Sequence, residues 1–158
     1  MKTILFLFLT LPIFAQDAAG LQITQDGRLA LLNDEHGNSP FTPAFQLKIV
    51  LQSKGDDLGY FIAAPKYEYV DLAGGKLTRI GFEIGYAFHI LGIDIAPLLG
   101  YGRAYRWNES YDNFEYSIQG KLPMGRGFSA MALMNINRRK EIQKLVYNVG
   151  FGVRYDIK

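Results

Sequence analysis

Between Leu145 and Ile157 every second residue is large and apolar: Leu145, Tyr147, Val149, Phe151, Val153, Tyr155 and Ile157. From Asn148 onward the residues between them, Asn148, Gly150, Gly152, Arg154 and Asp156, are polar or small. Successive side chains of a strand leave opposite sides of the backbone, so period two marks a β-strand with two unlike faces. Each face needs a different surrounding, and few folds supply both.

The pattern recurs upstream. Ile80, Phe82, Ile84, Tyr86, Phe88 and Ile90 share one face, and Arg79, Gly81, Glu83, Gly85, Ala87 and His89 the other. In the next segment Ile93, Ile95, Leu99, Tyr101, Tyr105 and Trp107 oppose Asp94, Ala96, Gly100, Gly102, Ala104 and Arg106. Turn residues divide the chain into eight such segments, near 21–32, 41–53, 58–71, 77–90, 93–107, 113–123, 127–139 and 145–157. The first is the least regular, because Gly27 interrupts it and Leu29 to Leu32 does not alternate. Eight strands with short connections in 158 residues predict a single all-β domain, an antiparallel up-and-down barrel.

Residue size indicates which face turns inward. In water the apolar face would fill the interior, whereas in a membrane it meets lipid and the polar face lines the lumen. The polar faces here are rich in Gly and Ala, and the chain has 17 glycines. A water-facing surface has no need of small side chains. The interior of an eight-stranded barrel does, because it is only wide enough for side chains to fill. The expected fold is therefore an eight-stranded transmembrane barrel.

The turns set the register. Gly74-Gly75, read as a two-residue hairpin turn, places Lys66 opposite Glu83 and Val70 opposite Arg79. Leu91-Gly92 places His89 opposite Asp94, and a three-residue loop at Met124-Gly125-Arg126 places Lys121 opposite Ser129. All three turns keep the same residues inside, and a one-residue slip would break that agreement. Pro65 and Pro97 fall within strands and predict a bulge or a missing ladder bond at each. Arg103 is assigned outward, roughly 25 Å above Ile93 at about 3.3 Å per residue and a tilt near 40°. That height brings it to the far interface. With the N-terminus in the periplasm, outer loops fall near 33–40, 72–76, 108–112 and 140–144. Periplasmic turns then fall near 54–57, 91–92 and 124–126.

Residues 1–15 read as a secretory signal peptide, with Lys2, the apolar run Ile4 to Leu11 and a small residue, Ala15, before the expected cut. Cleavage after Ala19 is a secondary option. The run is too short for a membrane helix, which needs roughly 20 apolar residues. The mature domain would be 16–158. With no cysteine, a disulfide, a thiol nucleophile and a lipoprotein anchor are excluded. A net charge of +2 does not suggest nucleic acid. No metal or cofactor pattern is found.

The chain resembles the small outer-membrane barrels typified by the OmpA membrane domain, OmpX and OmpW. Asn148, Gly150, Val153 and Tyr155 match the C-terminal insertion signal of such barrels, although the usual terminal Phe has no counterpart in Ile157-Lys158. The resemblance implies an outer-membrane location and insertion by the barrel-assembly machinery. It also implies contact with membrane lipids and lipopolysaccharide, and a monomer. It implies no single activity.

The inward assignment collects Lys48, Lys66, Glu68, Arg79, Glu83, Arg106, Glu115, Lys121, Arg139, Arg154 and Asp156 in the lumen. Lys66 with Glu83, Glu68 with Arg79, and His89 with Asp94 are the expected ion pairs. Opposite charges in comparable numbers favour a plugged lumen over a pore, which would carry one dominant sign. Tyr101, Tyr105, Trp107, Tyr147 and Tyr155 suit an aromatic girdle, together with Tyr67, Tyr69, Tyr111, Phe114 and Tyr116. The loop 33–40 gathers Asp34, Glu35, His36 and Ser39, faintly like the rim set of the lipid-modifying barrel enzymes, and reads more simply as a solvated turn. The function expected is a structural, adhesive or envelope-stability role. The alternatives are a soluble lipocalin-like carrier of an apolar ligand and a lipid A-modifying barrel enzyme.

Overall fold

The computed structural model describes residues 16–31, 41–73, 75–139 and 144–157. The strands are β1 (Gln16–Asp26), β2 (Ala44–Ser53), β3 (Gly59–Leu72), β4 (Gly75–Ile90), β5 (Ile93–Arg106), β6 (Glu109–Gly125), β7 (Phe128–Arg139) and β8 (Lys144–Ile157). They form one closed antiparallel barrel in sequence order, with β1 sealed against β8. The signal-peptide assignment (1–15), the loop assignment 33–40 and residues 140–143 of the loop assignment 140–144 lie outside the described residues, while Lys144 begins β8.

The barrel has two unlike ends. The turn end carries the start of β1, the end of β8 and the connections β2–β3, β4–β5 and β6–β7, and the loop end carries the other four. Leu91 and Gly92 both adopt positive φ (51° and 83°), as do Arg126 and Gly127 (52° and 82°) and Trp107 and Asn108 (50° and 64°). Two successive positive φ values give the type I′ turn, whose twist matches that of the strands it joins.

Side chains alternate as expected, with an apolar set outward and exposed and the polar and small set inward, joined inside by an apolar cluster around Val50, Tyr60, Ile62 and Leu98. Three register details are corrected. Leu72 pairs with Gly75, so the turn is at 73–74, Lys66 lies opposite Gly81 and Arg79 opposite Glu68. Gly75 belongs to β4, where its φ of +112° and the Trp107 indole lying where a Cβ would be require glycine. Lys121 lies opposite Met131, and Ser129 opposite Pro123, because the turn uses Arg126-Gly127 after an irregularity between Pro123 and Gly125. Both shifts are of two residues, so no side chain changes face.

The first segment differs more. β1 starts at Gln16 and stops at Asp26, and residues 27–31 form a short helix, α1. The Asp26 carboxylate caps it, accepting hydrogen bonds from the amides of Arg28 (2.9 Å) and Leu29 (3.1 Å). Leu29 drops into the loop-end mouth against Ala44, Val70, Leu77 and Ala104. The run without alternation is thus helical as far as Leu31.

The prolines interrupt pairing as expected. The β2–β3 pairing lapses between Lys48–Lys66 and Leu51–Ala63, beside Pro65. The β4–β5 pairing lapses between Gly85–Leu98 and Phe88–Ile95, beside Pro97. Where β8 meets β1, a Cβ on Gly152 would strike the Ile23 carbonyl and stand 2.7 Å from Thr24 Cα, so the seam closes only over glycine.

Candidate functional site

The inward faces of β2 to β6 converge on a buried charge network at mid-barrel. Glu83 accepts from Lys48 Nζ and Lys66 Nζ, each at 2.6 Å. Lys66 also pairs with Glu115. Arg79 completes the chain, meeting Glu115 at 2.6 Å and Glu68 at 2.7 Å. Three cations thus face three carboxylates, and none of the six side chains is more than 9% exposed. Burying such groups is tolerable only when each charge is matched and hydrogen-bonded.

Amides extend the network. Arg79 Nη1 donates to Asn137 Oδ1 (2.7 Å), which also accepts from Asn113 Nδ2 (3.2 Å), and Asn137 Nδ2 donates to Asn135 (3.1 Å). Gln46 donates to Glu68 (3.4 Å). These amides were missed in the sequence because they carry no charge. Their parity reveals them: Gln46 alternates with Lys48, and Asn113 with Glu115.

A second cluster sits at the turn end. Asp94 accepts from the Tyr60 hydroxyl (2.7 Å), meets His89 Nδ1 at 2.6 Å and lies 3.6 Å from Lys121. Lys121 reaches Asp156 at 2.9 Å, and Asp156 also accepts from Arg154 Nε at 2.6 Å. His89 is 41% exposed, and Lys121 and Asp156 are only partly covered. Lys121 and Arg154 balance Asp94 and Asp156. His89 has a carboxylate partner, but among the described residues no Ser hydroxyl bonds to it, and Tyr60 is held by the same Asp94.

The other residues singled out in the sequence are spread over the two ends and the outer wall, with the Arg139 side chain lying outside those described. Arg106 lies at the loop-end mouth, its guanidinium carbon 3.9 Å from the centre of the Trp107 ring. Tyr101, Tyr105, Trp107 and Tyr147 are exposed toward the loop end. Tyr155 is exposed at the opposite end, its ring centre 4.9 Å from that of Phe128 in a tilted pair. Val153 and Tyr155 face outward on β8, and Gly150 and Asn148 face the interior. His36 and Ser39 lie outside the described residues. Among the described residues no three His, Asp or Glu side chains are grouped to hold a metal.

No family model and no curated protein matches the chain. Solved structures do. The outer membrane protein Ail of Yersinia pestis, determined in a phospholipid bilayer nanodisc, aligns with a TM-score of 0.61 and 13% identity over 89% of this chain and 99% of Ail. Neisserial surface protein A aligns with a TM-score of 0.51 and 13% identity over 87% of this chain and 93% of its own. The chain therefore has the fold of the small eight-stranded outer-membrane barrels.

Proposed function

We propose that the chain is an outer-membrane barrel, exported behind a cleaved signal peptide, with a structural, adhesive or envelope-stability role and a lumen plugged by its own ion pairs. The observation that carries this reading is where the outward charges lie. Among the described strand side chains they are Asp71, Lys76, Arg103 and Asp112, all at the loop end. From there to the turn end the wall is uncharged: Ile80 to Ile90 on β4, Ile93 to Tyr101 on β5, Phe114 to Met124 on β6. On β5 this belt measures about 20 to 25 Å along the axis, the height of the apolar band of a membrane barrel. In water it would be one continuous hydrophobic patch far larger than monomers expose. Tyr and Phe flank the belt at both ends, where interface residues belong.

The interior supports the second half of the reading. A lipocalin-like carrier needs an apolar cavity, and this lumen holds balanced charges. A selective pore needs an excess of one sign, and in each cluster the Lys and Arg side chains match the carboxylates in number.

Membrane fractionation with unheated and boiled gel lanes tests the class. The expected result is detergent-dependent recovery and heat-modifiable migration, and a soluble monomer without detergent would overturn it. Planar-bilayer recording tests the plug, which predicts no sustained conductance steps from the wild-type barrel.

A further inference from the structure

Two features lie on one strip of the outer wall, and neither belongs to the two charge clusters. The first is Arg103, whose side chain is 58% exposed on the outward face of β5 between Tyr101 and Tyr105. Its Nε stands 3.8 Å from Asp112, and Tyr101 donates its hydroxyl to the same carboxylate at 3.0 Å. Asp112 is thus held by two neighbours on the Nε side, which leaves the terminal amino groups of the Arg103 fork for another acceptor. A guanidinium fork matches the oxygens of a phosphate.

The second is an apolar groove of about 570 Å³ in the wall, lined on its outer side by Phe61, Ile84, Pro97, Leu99 and Tyr116 and floored by the inward-facing Ile62 and Leu98. It lies where the β4–β5 pairing lapses at Pro97, in the uncharged belt. Leu99 is four residues below Arg103 on the same strand. That is roughly 10 Å along the barrel axis at about 3.3 Å per residue and a tilt near 40°. A lipid whose phosphate sits at Arg103 would carry its acyl chain down to the groove.

We infer that Arg103 and this groove together form a binding site for one membrane lipid whose headgroup is net anionic, its phosphate on the guanidinium without a competing cation of its own, and an acyl chain in the groove. The site rests on the membrane reading above. At this depth hydrocarbon is the surrounding medium, so an acyl chain is the occupant the lining fits.

Fluorescence quenching tests it in vesicles. Trp107 is the chain's one tryptophan, so Trp107→Phe with Tyr116→Trp gives a reporter inside the groove. Phosphatidylglycerol or phosphatidylcholine, each brominated on the acyl chain, is mixed at equal fractions with the other lipid unbrominated. Brominated phosphatidylglycerol is expected to be preferred at the reporter by about fivefold, the gain of one basic residue at an anionic surface. Arg103→Gln removes the preference and Arg103→Lys retains most of it. A second reporter, Trp107→Phe with Val149→Trp on β8, shows no preference. Equal quenching by the two lipids, an unchanged preference in Arg103→Gln, or the same preference at position 149 would overturn the site. Boiled and unheated lanes of each variant report insertion separately, so a lost site is distinguishable from a lost barrel.

Discussion

The two charge clusters inside the barrel use the same chemistry under different solvation. At mid-barrel, Lys48 and Glu83 are fully covered, and Lys66, Arg79 and Glu115 are 1% exposed. At the turn end, Lys121 is 13% exposed, Asp156 20% and His89 41%. Coulomb attraction and desolvation both grow as water is excluded. The central network is therefore the place where a lost partner is most costly, and the turn-end cluster is the place where water can replace one.

The largest expected effect follows from Glu83. Glu83→Gln strands Lys48, for which no other carboxylate partner is found among the described residues. We expect a loss of about 3–5 kcal/mol, the cost of leaving a buried charge unpaired. The folded-to-unfolded gel shift against urea would measure it. Lys48→Met added to Glu83→Gln should restore part of the loss, since Lys66 keeps Glu115. Lys121→Gln leaves Asp94 with His89 and Tyr60, and Asp156 with Arg154, so roughly 1 kcal/mol or less is expected there. Equal losses at the two sites would break the comparison.

Two glycines sharpen it. A Cβ on Gly100 would stand 3.0 Å from Glu83 Cγ and 3.4 Å from Glu115 Cβ, atoms locked in the central network. Gly100→Ala should lower stability by about 1–3 kcal/mol, as overpacking does. A Cβ on Gly20 would meet Asp156 Oδ1 at 2.8 Å and Arg154 Nε at 2.9 Å, both on longer side chains, and the Tyr155 carbonyl oxygen at 3.1 Å, which must give by only a few tenths of an ångström. Gly20→Ala should cost less in the same urea titration although its contacts are closer, and the reverse ranking would count against a softer turn end.

The smallest effect lies beyond the turn end, in full solvent. Asp56 Oδ1 accepts from the amides of Leu58 (2.9 Å) and Gly59 (3.0 Å), which hold its carboxyl below the ordinary 3.8. The carboxylate form is the bonded one, so its contribution is complete above pH 3.8 and lost as pH falls through the lower folded value. Amide resonances of Leu58 and Gly59 should report loosening of this turn in acid while the barrel stays folded. Asp56→Asn should flatten that response.

Much of this contrast was legible in the sequence, and the reasons are local. Alternation fixes a face by parity alone, so Lys66, Glu83 and Arg79 could be placed inside before any register was known. Register is harder, because Gly74-Gly75 marks a turn without saying which two residues form it. The second glycine serves Trp107, a contact no local pattern contains. The pair Lys66–Glu83 forms even so, although the two residues are not directly opposed, because long side chains reach a diagonal neighbour. Lys48 with Glu83 and Lys66 with Glu115 span the lumen between strands that are not neighbours. Such contacts depend on barrel closure and were not readable. The helix at 27–31 was visible only as a failure of alternation, since five residues offer little else.

The seam between β1 and β8 has a consequence for assembly. Seven of the eight ladders join strands that follow one another, while the eighth brings Ala19 to Ile157. Until that last ladder forms, the chain is an open sheet with two unpaired edges, the form most prone to pair with another chain. Closing it carries the largest loop entropy of any ladder. The alternating segment at the C-terminus is thus the latch of the barrel. A chain cut before residue 144 would lose both ladders of β8 and present β1 and β7 as open edges to its neighbours.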